Sequence, residues 1–201
     1  TRFGSSQLDG KVWIAHLMFS RCQDICPDVI TELALLQDEF RTANDWQDIR
    51  IVSFSVDPEY DTPSLLLEHA RLASADQEQW KFLTARQNQL WQFSRHALHL
   101  PVNSDQDSNE IIFPRQDLVL IDRDRRIRGV FDGLDSSSRQ ALVSVLYELV
   151  DTSPLPVITH PDTIVDPPGL AQRRQAQLDT VDQFEVFYGF QFEDRVLDSG
   201  I

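Results

Sequence analysis

Cysteine is nearly absent from this chain. Its 201 residues include only Cys22 and Cys26, a single Met, and seven Gly scattered one at a time. A disulfide framework needs more cysteines, spread so that they close long loops. A bridge spanning four positions closes almost no loop and adds little through chain entropy, so this pair is no staple. Without a Gly-rich stretch there is no phosphate-cradling loop, and no Ser-His-Asp constellation marks a hydrolase. Basic residues are scarce as well: 18 Lys+Arg against 32 Asp+Glu leave a net charge of −14. A chain this acidic repels phosphate backbones and anionic lipid, which argues against nucleic-acid and membrane-surface partners. Long apolar runs are missing too. The longest, Val12 to Phe19, is interrupted by His16 and falls far short of the roughly 20 residues that span a bilayer. The chain opens at Thr1 with neither an initiator Met nor a charged-then-apolar leader, so any targeting peptide or anchor would have been processed off or left out of this sequence.

What remains is an ordinary globular composition, 41% hydrophobic and 25% charged, at a length that suits one domain plus an appendage. Lys11 to Phe19 reads as a strand buried on both faces, because apolar residues fill both alternating sets. After Pro27, the positions Val29, Ile30, Leu33, Leu36 and Phe40 recur at helical spacing, and Pro27 suits a first helical turn. Ile49 to Val56 is a second strand, stopped by Asp57-Pro58. Thr62 is the expected N-cap of a helix that opens with Pro63. A short strand at Trp80–Thr84, a helix over Gln87–Leu98, and a hairpin of Leu118–Asp122 with Ile127–Phe131 follow. An amphipathic helix over Ser136–Val150 closes the series. The order β-α-β-α-β-α-β-β-α predicts an α/β thioredoxin-like fold, a mixed sheet covered by helices on both faces. This domain is expected over residues 1–150. Residues 151–201 read as a Pro-rich strap and C-terminal extension, with five of the ten prolines before Gly169, a helical pattern over Leu170–Phe184 and an aromatic end that should dock or form an interface.

The chemistry sits where the first strand runs into Cys22-Gln23-Asp24-Ile25-Cys26-Pro27. Helix N-terminal amides stabilise a thiolate, and residues i and i+4 share one helix face. Two thiolates held together there can exchange disulfides or hold a soft cation such as Cu(I). Arg21, Gln23 and Asp24 mark the loop as polar and exposed, and against this stands the bland reading of two buried, inert cysteines.

The chain resembles the Sco/SenC copper chaperones of cytochrome c oxidase assembly. The residues that carry the likeness are Asp9-Gly10-Lys11-Val12-Trp13, the Cys-x-x-x-Cys-Pro motif, Ser53-Phe54-Ser55-Val56-Asp57-Pro58-Glu59, Asp61-Thr62-Pro63, Trp80-Lys81-Phe82-Leu83-Thr84, and Leu118-Val119-Leu120-Ile121-Asp122 with Ile127-Arg128-Gly129. The resemblance implies a thioredoxin-like fold in an exported protein at the periplasmic or extracytoplasmic face of a membrane. It also implies copper held by two cysteines and a distant histidine, and in some members thiol–disulfide reductase activity. The departure is at that histidine. Eight positions before Asp122 stands Pro114, in Phe113-Pro114-Arg115-Gln116, and proline has no donor atom for copper. Two thiolates can hold Cu(I), whereas a Cu(II) site loses its imidazole.

The chain's five histidines differ in their fitness as substitutes. His16 lies six residues before Cys22, roughly 20 Å away along a strand, and reads as a hydrogen-bonded core residue. His69 reads as a solvated helix residue, and His160 follows the strap. His96 and His99, at a helix C-terminus where cations suit the dipole, are the substitute ligand candidates. Asp57, Glu59 and Asp61 read as acidic groups serving a helix N-terminus, and Arg123 to Arg128 as a solvated hairpin tip. Finally, Phe190-Gln191-Phe192-Glu193-Asp194-Arg195 with Ser199-Gly200-Ile201 is similar to the entry segment of secreted FG-GAP/VCBS propeller proteins, which implies a domain of a larger exported protein.

Three functions follow. The first is a Sco-like dithiol protein in thiol–disulfide exchange, linked to copper-centre or respiratory oxidase assembly, with Cys22 and Cys26 as its catalytic pair. The second is a Cu(I) chaperone using both thiolates and a substitute third ligand. The third is a non-catalytic interaction module of a larger protein. The expected partner is a protein dithiol or disulfide, or a copper site.

Overall fold

The computed structural model describes residues 2–22, 25–41, 44–104, 111–150 and 191–193. In chain order its elements are β1 (Arg2–Gly4), a 3-10 turn (Ser5–Leu8), β2 (Val12–Met18), α1 (Cys26–Arg41), a 3-10 turn (Asn44–Asp48), β3 (Ile49–Ser55) and α2 (Pro63–Leu72). They continue with β4 (Trp80–Leu83), α3 (Gln87–His96), β5 (Asn103–Ser104), β6 (Ile111–Ile112), β7 (Asp117–Ile121), β8 (Ile127–Asp132), α4 (Ser136–Val150) and β9 (Gln191–Glu193).

The central sheet has five strands in the order β4-β3-β2-β7-β8. β2, β3 and β4 run parallel, joined by helical crossovers, while β7 and β8 are antiparallel to their neighbours. Every residue of β2 is buried, as a central strand with apolar residues on both sides requires. Its alternation sorts the core into two layers. Val12, Ile14 and Met18 face Val29, Leu33, Leu36 and Phe40 of α1, Leu66 and Ala70 of α2, and Leu142 and Leu146 of α4. Trp13, Ala15 and Leu17 face Leu90 and Phe93 of α3, together with Leu98, Leu100, Val102 and Phe113 from the irregular chain that follows it. Helices therefore cover both faces of a mixed sheet, three on one side and one on the other.

Local signals explain the helix starts. Pro27 is the second residue of α1, where its missing N–H costs nothing. Thr62 caps α2, its Oγ1 accepting from the Leu65 amide at 3.3 Å, and Pro63 follows as the first helical residue. Gly10, at φ 69°, makes the turn into β2 that a side chain would resist. The turn between β7 and β8 is built by Asp122, whose Oδ1 accepts from the Asp124 and Arg126 amides at 2.9 and 2.8 Å. The solvated tip expected over Arg123–Arg128 is instead tied down in places. Arg125 pairs with Asp9, Arg123 reaches Asp48 at 3.4 Å, and Arg123 also donates to the Leu149 carbonyl at the end of α4.

Four short strands carry no periodic signal and went unread in the sequence. β5 and β6 form a two-residue hairpin, and β1 pairs antiparallel with β9, matching Phe3 to Phe192. The Pro-rich strap, the helical pattern over Leu170–Phe184, His160 and the segment from Asp194 to Ile201 lie outside the described residues. Among the described residues no helix is long and apolar enough to cross a membrane.

Candidate dithiol site

Parallel strands place their loops together at the carboxyl end of the sheet, where ligands and chemistry collect in α/β folds. Here the Val56 amide donates to the Met18 carbonyl at 2.9 Å and ties the ends of β2 and β3. Two loops leave this point side by side, one carrying the cysteines and the other running from Asp57 to Thr62.

The first loop turns at once, the Cys22 amide donating to the Phe19 carbonyl at 3.2 Å. Cys22 and Cys26 are joined by a disulfide, with their Cα atoms 5.8 Å apart. Cys26 is the first residue of α1, and its backbone N–H donates to Cys22 Sγ at 3.3 Å. The sulfur of Cys22 thus sits at a helix N-terminus, where amides and the macrodipole favour negative charge. Both cysteines are nearly covered, at 7% and 4% exposure, and belong to the α3-side core layer. That corrects the expectation of an open polar loop. Arg21 does face solvent, but the turn that brings Cys22 over the start of α1 folds the sulfurs inward. Gln23 and Asp24 lie outside the described residues.

The second loop is a further correction. Asp57 and Asp61 do not serve the helix that follows, since Thr62 caps it. Asp61 is fully buried and reaches across to the cysteine loop. It accepts from the Ser20 amide at 3.1 Å (Oδ1) and 3.2 Å (Oδ2), from the Ser20 hydroxyl, and from the Ser55 hydroxyl at 2.5 Å. The Asp57 carboxylate accepts from Arg21 Nε at 3.0 Å and from a second N–H of the same guanidinium. This hydrogen bond and charge hold the Arg21 pKa above its ordinary value. The guanidinium also lies 4.9 Å above the ring of Tyr60. Ser20, Arg21, Ser55, Asp57 and Asp61 are the site residues that sequence reasoning missed. The available signal was two acidic residues four apart, directly after a strand parallel to the one entering the cysteine motif.

A third segment completes the surroundings. Phe113 shares the buried layer with both cysteines and meets Phe19 edge-on at 5.5 Å between ring centroids, with Arg115 over both rings at 5.8 and 5.9 Å. The stretch holding Pro114 thus lies alongside the cysteine loop, where it offers no donor. His96 is exposed at the end of α3, and His99 takes a left-handed φ of 56° in the turn after it. Burial and the neighbouring His96 charge lower the His99 pKa. Among the described residues no three His, Cys, Asp or Glu side chains gather into a metal-binding group.

His16 lies in the layer away from the cysteines. Its Nδ1 is 3.4 Å from Ser53 Oγ, which also accepts from Trp80 Nε1 at 3.0 Å. Nε2 has no partner of normal hydrogen-bond geometry, although a backbone group of Arg115 pushes the pKa up slightly against burial. Burial dominates and drives it down to about 4. The reading of a core histidine is right, and the sheet stands between it and the disulfide.

The SCO1/SenC family model matches residues 1–150. The chain belongs to that family. Among solved structures, a SCO1/SenC family lipoprotein from Bacillus anthracis is 28% identical, covers 73% of this chain and 86% of its own, and superposes with a TM-score of 0.66. BsSco, described as a member of the Sco family of cytochrome c oxidase assembly proteins with a disulfide switch, is 27% identical over 71% of this chain and 82% of its own, with a TM-score of 0.61. ScoI of Arabidopsis thaliana, solved with copper bound, shares the fold at 21% identity and a TM-score of 0.59, over 72% of this chain and 88% of its own.

Proposed function

We propose that this Sco family member works by thiol–disulfide exchange through Cys22 and Cys26, in the service of copper-centre or respiratory oxidase assembly. The observation that carries the reading is the disulfide at the start of α1, with the Cys26 amide on Cys22 Sγ. In the reduced protein the Cys22 thiolate attacks one sulfur of a partner disulfide, and the partner's other sulfur leaves as a thiolate. Cys26 then attacks Cys22 Sγ in the mixed disulfide and releases the second partner sulfur. Two electrons pass to the partner and the Cys22–Cys26 disulfide is formed, to be reduced again by a dithiol protein. Cys22 is assigned the attack because its sulfur receives the helix amide. The lipoprotein relative supports a place on the extracytoplasmic side of a membrane. Redox titration should give a defined two-electron potential, and Cys22→Ser should abolish reduction of insulin disulfides. A wild-type protein without this activity would overturn the reading.

A second reading, with copper as cargo, is favoured by the copper-bound relative and by the chemistry of the donor set. Two thiolates, once the disulfide is reduced, suit Cu(I), while Pro114 leaves Cu(II) without its imidazole. Anaerobic titration of the reduced chain should then show one tight Cu(I) that is lost in the Cys22→Ser/Cys26→Ser double variant.

A further inference from the structure

A buried carboxylate is costly unless its hydrogen bonds are satisfied, and Asp61 is fully buried. It accepts from neutral donors: the amide and hydroxyl of Ser20 and the hydroxyl of Ser55. No helix needs it, because Thr62 caps α2. What it does hold is the first residue of the cysteine turn. Ser20 lies inside the turn closed by the Cys22 amide on the Phe19 carbonyl, two residues from the sulfur that accepts from the Cys26 amide. The anchor point is rigid, since Ser55 ends β3 and its hydroxyl also accepts from the Asp57 amide at 3.2 Å. Asp57 in turn grips Arg21, the other residue of the turn. Two adjacent residues ahead of Cys22 are thus held by two carboxylates of the neighbouring loop.

We infer that Asp61 is a positioning residue for the dithiol: by fixing Ser20 it places Cys22 Sγ under the Cys26 amide. This rests on the exchange reading above and names a group through which that site is tuned. The two carboxylate oxygens accept from all three donors at once. An amide at position 61 would turn one of its two acceptor atoms into a donor facing Ser20 or Ser55. The turn would then relax, and Cys22 would lose its contact with the helix amide.

The test uses the full chain in its reduced form. The thiolate of Cys22 is titrated by ultraviolet absorbance, and the second-order rate with a small aromatic disulfide is measured. Asp61→Asn should raise the thiolate midpoint by about one pH unit and slow the reaction about tenfold at neutral pH. Ser20→Ala, which keeps the amide bond but removes the hydroxyl, should shift both in the same direction by less, and Ser20→Thr should restore them. Asp61→Asn and Ser20→Ala proteins that melt earlier yet titrate like the wild type would overturn the inference, leaving Asp61 a structural residue. The titration does not depend on a physiological partner. If the wild type fails to reduce insulin while Asp61→Asn still moves the thiolate midpoint, the exchange reading falls and the positioning role stands.

Discussion

The carboxyl end of the central sheet and its middle bury polar groups in opposite ways. At the carboxyl ends of β2 and β3, three donors converge on the buried carboxylate of Asp61, and the turn it holds leads to a disulfide. On the side covered by α1, α2 and α4, His16 sits among apolar residues with Ser53 and Trp80 as its polar company, and burial keeps it neutral. The first arrangement holds a loop against its neighbour and bears on chemistry. The second lies within a continuous strand, and what it affects is stability. Nor are the layers equally regular. Three helices pack one face, whereas the cysteine face is completed by one helix and by irregular chain such as Leu98–Val102 and Phe113.

If that division is real, damage to the helical layer should cost stability and leave the sulfur chemistry alone. The largest effect is expected from Phe40→Ala. Phe40 is fully buried in α1 and its ring lies 4.8 Å from that of Tyr147, so truncation should cost about 3–5 kcal/mol in denaturant unfolding. The redox potential should stay at the wild-type value, and a shifted potential would break the comparison.

His16 comes next. Its folded pKa of about 4 lies below the unfolded value of 6.5, so the unfolded chain binds more protons between these limits. Its contribution is fully present above pH 6.5 and is lost as pH falls through 4, amounting to about 3 kcal/mol over that window. His16→Gln should lose less stability than the wild type between pH 7 and pH 4, since the carboxylates common to both cancel. Parallel pH profiles for the two proteins would refute this.

The cysteine pair should show the reverse pattern. Its short loop is worth at most about 2 kcal/mol, so Cys22→Ser/Cys26→Ser should stay folded while disulfide exchange disappears. A double variant that unfolds would make the bridge a staple after all. The smallest effect is expected at the helix start beside the site. Thr62→Ala removes the α2 cap and should cost about 1 kcal/mol with no change in thiolate titration, separating helix capping from the neighbouring work of Asp61.

Much of the frame was legible residue by residue. The apolar runs of β2 and β3, the Pro27 and Thr62 helix starts, and the hairpin around Asp122–Arg126 are local patterns that act within a few residues. Ser136–Val150 was readable to its boundaries for the same reason. β1, β5, β6 and β9 were not, because two or three residues carry no period. At the site, the motif Cys22-x-x-x-Cys26-Pro27 announced a helix-terminal pair. The burial of the sulfurs and the reach of Asp61 to Ser20 could not be read. Ser20 and Asp61 are 41 positions apart, and an acid ahead of a helix looks the same whether it caps that helix or bridges to another loop.

Sequence alone therefore determined the longer strands and the helices, and that two cysteines meet at a helix start. These are consequences of periodicity, capping chemistry and side-chain identity, which operate over short spans. Tertiary structure alone decided that the sulfurs are covered, that His16 and the disulfide lie on opposite sides of a sheet, and that the carboxylates after β3 hold the turn after β2. Such facts depend on which strands become neighbours, and parallel pairing brings together loops that the chain itself keeps far apart.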